Sequence, residues 1–188
     1  MRRLVIVALS ALMSVNAFAL FFETEPNNTR SSPDVVLFNL YNNIASWADV
    51  GLLSLTANDS DFFQIFLRAG DRLTAITFPL LDDGGTPDTV MALFDATGTT
   101  ALISNDDHGV GKGSALIYTA ATTGDYFLAI TGWNGPFGQN LLSYYENASH
   151  SQAGAYILTV SVVPEPASML ALGVGLAGLA GLRRRNRK

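Results

Sequence analysis

The chain has 188 residues, of which 48% are hydrophobic and 14% charged, contains no cysteine and carries a formal charge of −5. The two ends distort these figures. Setting aside 1–19 and 164–188 leaves four cations (Arg30, Arg68, Arg72 and Lys112) against fifteen acids, a net charge of −11. Such a surface repels phosphate backbones, which are held by clustered Lys and Arg, and this excludes nucleic acid as a partner. The lack of cysteine excludes disulfides, thiolate zinc sites, iron–sulfur clusters and thiol catalysis.

Met1-Arg2-Arg3 precedes an apolar run over 4–13, and Ala17-Phe18-Ala19 follows. A cationic start, a short apolar core and a small-x-small site predict a signal peptide over 1–19, cut by signal peptidase after Ala19. The run is shorter than the ~20 apolar residues of a spanning helix. In the next segment Glu23, Glu25 and Asn27 alternate, so an extended chain turns all three oxygens to one side. Calcium takes six to eight oxygens at flexible geometry. Asn28 and the pair Asp59 and Asp61 complete a calcium cage if this segment lies beside the 59–61 turn. The alternative is a solvated acidic lead-in whose Asx turns cap loops.

The body, 20–163, reads as one domain. Its β-branched and aromatic runs predict strands at 35–40, 51–57, 62–67, 72–78, 89–95, 101–104, 115–119, 126–131 and 155–163. Gly- and Asp-rich turns separate them. The spacing predicts an all-β protein, an antiparallel β-sandwich, with no sustained helical stripe. Tyr126, Leu128 and Ile130 share one face, as do Tyr156, Leu158, Val160 and Val162. Asp82, Asp83 and Asp88, and the run Asn105-Asp106-Asp107-His108-Gly109, read as turns and do not fit the EF-hand pattern. The connection 132–154 is long enough to suggest a role. Trp133, Tyr144 and Tyr145 either stack on sugar rings of an exopolysaccharide or cap an open end of the sandwich. His108 and His150 fall in loops, and neither His-Glu-x-x-His nor Gly-x-Ser-x-Gly occurs, so no enzyme is expected.

At the other end, Pro164-Glu165-Pro166 leads into an uncharged apolar run over 169–182 and then Arg183-Arg184-Arg185-Asn186-Arg187-Lys188. Cationic flanks stay cytoplasmic, which places the body outside the membrane. A transmembrane helix over 169–182 would be ~21 Å long against a ~30 Å hydrocarbon core, which suits a temporary anchor.

These three parts together resemble the PEP-CTERM sorting signal. The resemblance implies processing near Pro164, Glu165 and Pro166 by an exosortase-type membrane protease, in bacteria that make exopolysaccharide. It also implies passage from the cytoplasmic membrane to the cell surface or beyond.

The body, from about 23 to 163, resembles the bacterial pre-peptidase C-terminal domain. The resemblance rests on Glu23-Thr-Glu-Pro-Asn-Asn-Thr29, Asn58-Asp-Ser-Asp-Phe-Phe-Gln-Ile-Phe66 and Gly70-Asp-Arg-Leu73. Pro87-Asp-Thr-Val-Met-Ala-Leu-Phe-Asp95, Ser104-Asn-Asp-Asp107 and Gly124-Asp-Tyr-Phe127 continue it in order. It implies a jelly-roll-like sandwich and, by analogy with calcium-holding relatives, ligands at Glu23, Glu25 and Asn27. The expected function is a non-enzymatic surface or matrix module associated with exopolysaccharide. The alternative is an accessory or inhibitor module for a separate secreted hydrolase.

Overall fold

The structure is a computed structural model and describes residues 17–36, 47–81, 86–109, 111–164 and Gly175. Most of the signal peptide, the turn 82–85 and all of the expected helix 169–182 except Gly175 lie outside these residues. Among the described residues no helix is long and apolar enough to cross a membrane.

Alternation of inward apolar and outward polar or mixed residues builds ten strands in two five-stranded sheets. Sheet I consists of β1 (Ala17–Phe21), β3 (Trp47–Leu55), β10 (Gly154–Val163), β5 (Arg72–Pro79) and β8 (Ala115–Thr119), in that spatial order. Sheet II consists of β2 (Asp34–Val35), β4 (Ser60–Leu67), β9 (Gly124–Gly132), β6 (Thr89–Asp95) and β7 (Ile103–Asn105). The faces predicted for the last two long strands hold. Tyr126, Leu128 and Ile130 of β9 and Tyr156, Leu158, Val160 and Val162 of β10 all enter the core between the sheets.

The sandwich is mixed rather than purely antiparallel. β1 runs parallel to β3, and β2 parallel to β4. A parallel pair requires a crossover. Here the chain leaves β1, visits sheet II at β2, and returns to sheet I at β3. Alternation within a strand carries no information about its neighbour's direction, so the sequence could not distinguish the two. The strand expected over 35–40 is seen only as Asp34–Val35, with 37–46 outside the described residues, and the one expected over 101–104 forms at Ile103–Asn105.

The long connection also departs from expectation. It contains a short helix, α1 (Leu142–Glu146), laid on the outward face of sheet II. Leu142 and Tyr145 are buried there with Phe62, Val90, Ala92 and Phe94, making a second small core. Five residues cannot display the 3.6-residue period that would announce a helix. Sheet I has no such cover among the described residues.

The registers define two poles. Ala17 pairs with Trp47 and Trp47 with Val162, so β1 begins and β10 ends at the same pole. The opposite pole gathers the segment after β1, the start of β4 and the connection 132–154.

Candidate metal centre

The segment following β1 is tied down by its own polar groups. Thr24 N and Asn27 Nδ2 donate to Asp34 Oδ2 at 2.8 and 3.0 Å. Phe62 N donates to Asn27 O at 3.1 Å, fastening the segment to the first turn of β4. Glu23 Oε1 accepts from Ser54 N at 2.8 Å and from Ser54 Oγ at 3.1 Å, fastening it to β3. The lead-in therefore lies beside the 59–61 turn, which is the arrangement a shared site requires.

Carboxylate oxygens of Glu23, Glu25 and Asp61 converge to within 4.8 Å of one another. Buried oxygens are normally hydrogen-bonded, and each exception calls for a cause. Four exceptions belong to the lead-in and the 59–61 turn: Glu23 Oε2, Asn27 Oδ1, Asn28 Oδ1 and Asp61 Oδ1 are all buried without a donor. The partner oxygens of Glu23 and Asp61 are engaged, by Ser54 and by the hydroxyl of Tyr156 respectively. Asn27 turns its nitrogen to Asp34, which leaves its carbonyl oxygen free. Asn27 and Asp61 are fully buried.

The electrostatics follow from this crowding. Burial pushes the Glu23 carboxyl from 4.5 up to about 7, against the Ser54 hydrogen bonds, and the charges of Glu25 and Asp59 push the same way. Burial also holds Asp61 well above the usual carboxylate range, reinforced by the Glu23 charge. Glu25 is raised by burial and by Asp59. The Tyr156 hydroxyl is pushed well above its ordinary value by burial and by Asp61. Three carboxylates with raised proton affinity and several donorless oxygens suit a hard cation with oxygen ligands, which would supply the missing positive charge.

Of the residues expected from sequence, Glu23, Glu25 and Asp61 come together, and Asn27 and Asn28 present free buried oxygens close by in the chain. Asp59 departs from the expectation. Its Oδ2 accepts from Thr56 N and Oγ1, and its Oδ1 from Ser60 N, so both oxygens serve the turn. Its charge still acts on the site. Ser54, Tyr156 and Asp34, which hold Glu23, Asp61 and Asn27 by hydrogen bonds, were not singled out from the sequence. Tyr156 reads there as a core residue, and only the cross-sheet register brings its hydroxyl to Asp61.

A second acidic group, Asp88, Asp106 and Asp107, also converges within 4.8 Å. Here too one oxygen of each of two acids is engaged and the other is not: Lys112 Nζ lies 3.1 Å from Asp88 Oδ2 and Gln139 Nε2 donates to Asp106 Oδ2 at 2.9 Å, while Asp88 Oδ1 and Asp106 Oδ1 are buried without a donor.

The aromatic trio proposed for sugar stacking is divided. Tyr145 is buried, meets Phe94 edge-on at 5.6 Å, and donates its hydroxyl to Gln139 O at 2.9 Å. Tyr144 packs against Tyr145, and its hydroxyl accepts from Asn134 N at 2.9 Å. Both rings are spent on covering sheet II. Trp133 is 41% exposed and Phe137 90% exposed. His150 is buried, with Nε2 2.8 Å from Asp59 O and 3.1 Å from Gly132 N.

Comparison with known proteins identifies the tail. Residues 162–185 match the PEP-CTERM protein-sorting motif, which marks an exported protein carrying a membrane-anchored sorting signal. The β-sandwich is similar to that of the Aeromonas hydrophila PliG, a periplasmic inhibitor of g-type lysozyme, at 12% identity and a TM-score of 0.42, covering 79% of this chain and 100% of that one. It is also similar to the pre-peptidase C-terminal domain of a Bacillus anthracis collagenase, at 15% identity and a TM-score of 0.39, covering 59% and 86%. The Salmonella Typhimurium PliG matches at 13% identity and a TM-score of 0.36, covering 80% and 100%. No curated protein matches by sequence.

Proposed function

We infer that the chain is a non-enzymatic exported module of the cell surface or extracellular matrix, held in a single conformation by calcium. Glu23, Glu25, Asn27 and Asp61 hold the ion, with Asn28 adjoining. The observation that carries this reading is the meeting of three carboxylates with buried oxygens that have no donor. The ion neutralises a pole of the domain that otherwise repels itself. An exosortase-type protease removes the tail after Pro164-Glu165-Pro166 is recognised. Trp133, exposed where Tyr144 and Tyr145 are packed, is the member of the trio left to meet an exopolysaccharide.

Thermal melting in calcium and in chelator tests the site. A ligand that binds only the folded state adds about 2.7 kcal/mol at a hundredfold excess over Kd. In a domain of this size each kcal/mol moves Tm by ~2–4 °C. Calcium should therefore raise Tm by several degrees and magnesium by less, since magnesium requires tighter octahedral geometry. Glu25→Gln should shrink the calcium shift without lowering Tm in chelator. Identical curves in calcium and chelator would remove the metal from this reading.

A further inference from the structure

The two outward faces of the sandwich are treated differently. Sheet II is covered by α1 and its flanking loop, which bury Phe62, Val90, Ala92 and Phe94. The outward face of sheet I is just as apolar and carries no such cover among the described residues. Leu52, Ile157 and Phe78 stand side by side in register across three strands. Leu20, Val50, Thr159 and Ile76 form the next row. Leu20 is 58% exposed, Leu52 and Ile117 51% each. Along the five strands, the outward positions include Arg72 and no acid or lysine, in a domain with fifteen acids.

The chain's own course indicates what covers this face. β10, a central strand of sheet I, ends at Val163, inside the matched sorting motif. Residues 164–168 separate it from the apolar run 169–182, and five residues span at most ~18 Å. A ten-residue strand is ~33 Å long, so a membrane entered by that run lies within reach of sheet I. Arg68 and Arg72, two of the four cations of the body, occupy the turn at the pole of β10's end, where an anionic headgroup surface attracts them. Both acidic clusters lie at the opposite pole, away from Arg68 and Arg72.

We propose that the outward face of sheet I rests on the lipid surface while the tail is inserted, turning sheet II and its covering segment away from the membrane. This rests on the tail being anchored in the bilayer. Release of the tail by cleavage then frees the face from the surface that covered it.

The absence of cysteine makes a direct test simple. Leu52→Cys and Ile117→Cys, both at half-exposed outward positions, and Asp107→Cys at the far pole each take one spin label. The full chain is reconstituted in vesicles of phosphatidylethanolamine and phosphatidylglycerol and floated on a density gradient. The two face labels should lose most of their relaxation by a water-soluble nickel complex and gain relaxation by oxygen. The Asp107→Cys label should stay open to nickel. A chain that does not float overturns the anchored tail and this proposal with it. A chain that floats with face labels open to nickel overturns the proposal alone. Dipolar broadening between face labels would show that a second copy covers the face, and would equally overturn it.

Discussion

Glu23 and Asp61 are acids that take up protons more readily folded than unfolded, because burial and mutual repulsion disfavour their charged forms. Without a metal, the folded state therefore binds more protons than the unfolded state between the ordinary carboxyl value of 4.5 and the Glu23 value of about 7. Stability then rises as pH falls through that window and levels off below it. Calcium held as proposed would reverse the effect, since protons compete with it for the same oxygens. Melting curves in chelator should climb as pH falls from 7 toward 4.5, while the gap between calcium and chelator closes. A gap independent of pH would place the ion elsewhere. The convergence of Glu23 and Glu25 with Asp61 was legible, because i, i+2 spacing on an extended chain fixes a shared side. What the sequence could not supply was occupancy of each oxygen. Asp59 and Asp61 look equivalent in sequence, yet the turn consumes both oxygens of one and leaves the other with a free, buried oxygen.

Among the elements, β1 owes its place to one side chain. Phe21 is buried, meets Phe63 edge-on at 5.7 Å and lies over Gly51 of β3. A Cβ on Gly51 would stand 2.7 Å from the Phe21 ring. Phe21→Ala should cost ~3–5 kcal/mol as a large-to-small core change. Gly51→Ala should cost ~1–3 kcal/mol as an overpacking one. Leu20→Ala, on the outward side, should change the stability of the soluble domain little. Denaturant titration of the three variants checks the order. The covering segment separates in the same way. Tyr145→Ala should destabilise by several kcal/mol, in keeping with other buried aromatics, whereas Trp133→Ala should leave Tm nearly unmoved and act only on ligand binding. Equal Tm losses would return Trp133 to the core. The sandwich class and the inward faces of β9 and β10 were legible because period-two alternation reports burial directly. The parallel edges and α1 were not, because strand direction depends on distant crossovers and a single helical turn has no period.

For the whole molecule, the sorting motif and the body make separate statements. The motif predicts that protein recovered from the cell surface or medium ends upstream of Met169, which intact-mass measurement reads directly. Recovery of chains that retain Lys188 would contradict processing. The body has a property of its own that follows from where its strands start and stop. Residues 20 and 159 flank Val50 on neighbouring strands, so the start of the chain left by the expected cut lies about two strand spacings, ~10 Å, from Thr159, four residues before β10 ends. Closing such a gap takes only a few residues and little loop entropy. The domain is therefore suited to circular permutation. A short Gly/Ser bridge from Val163 to Leu20, with new termini opened in the exposed 121–123 turn, should fold to the same two sheets. It would also carry the polypeptide's ends on the other side of β8.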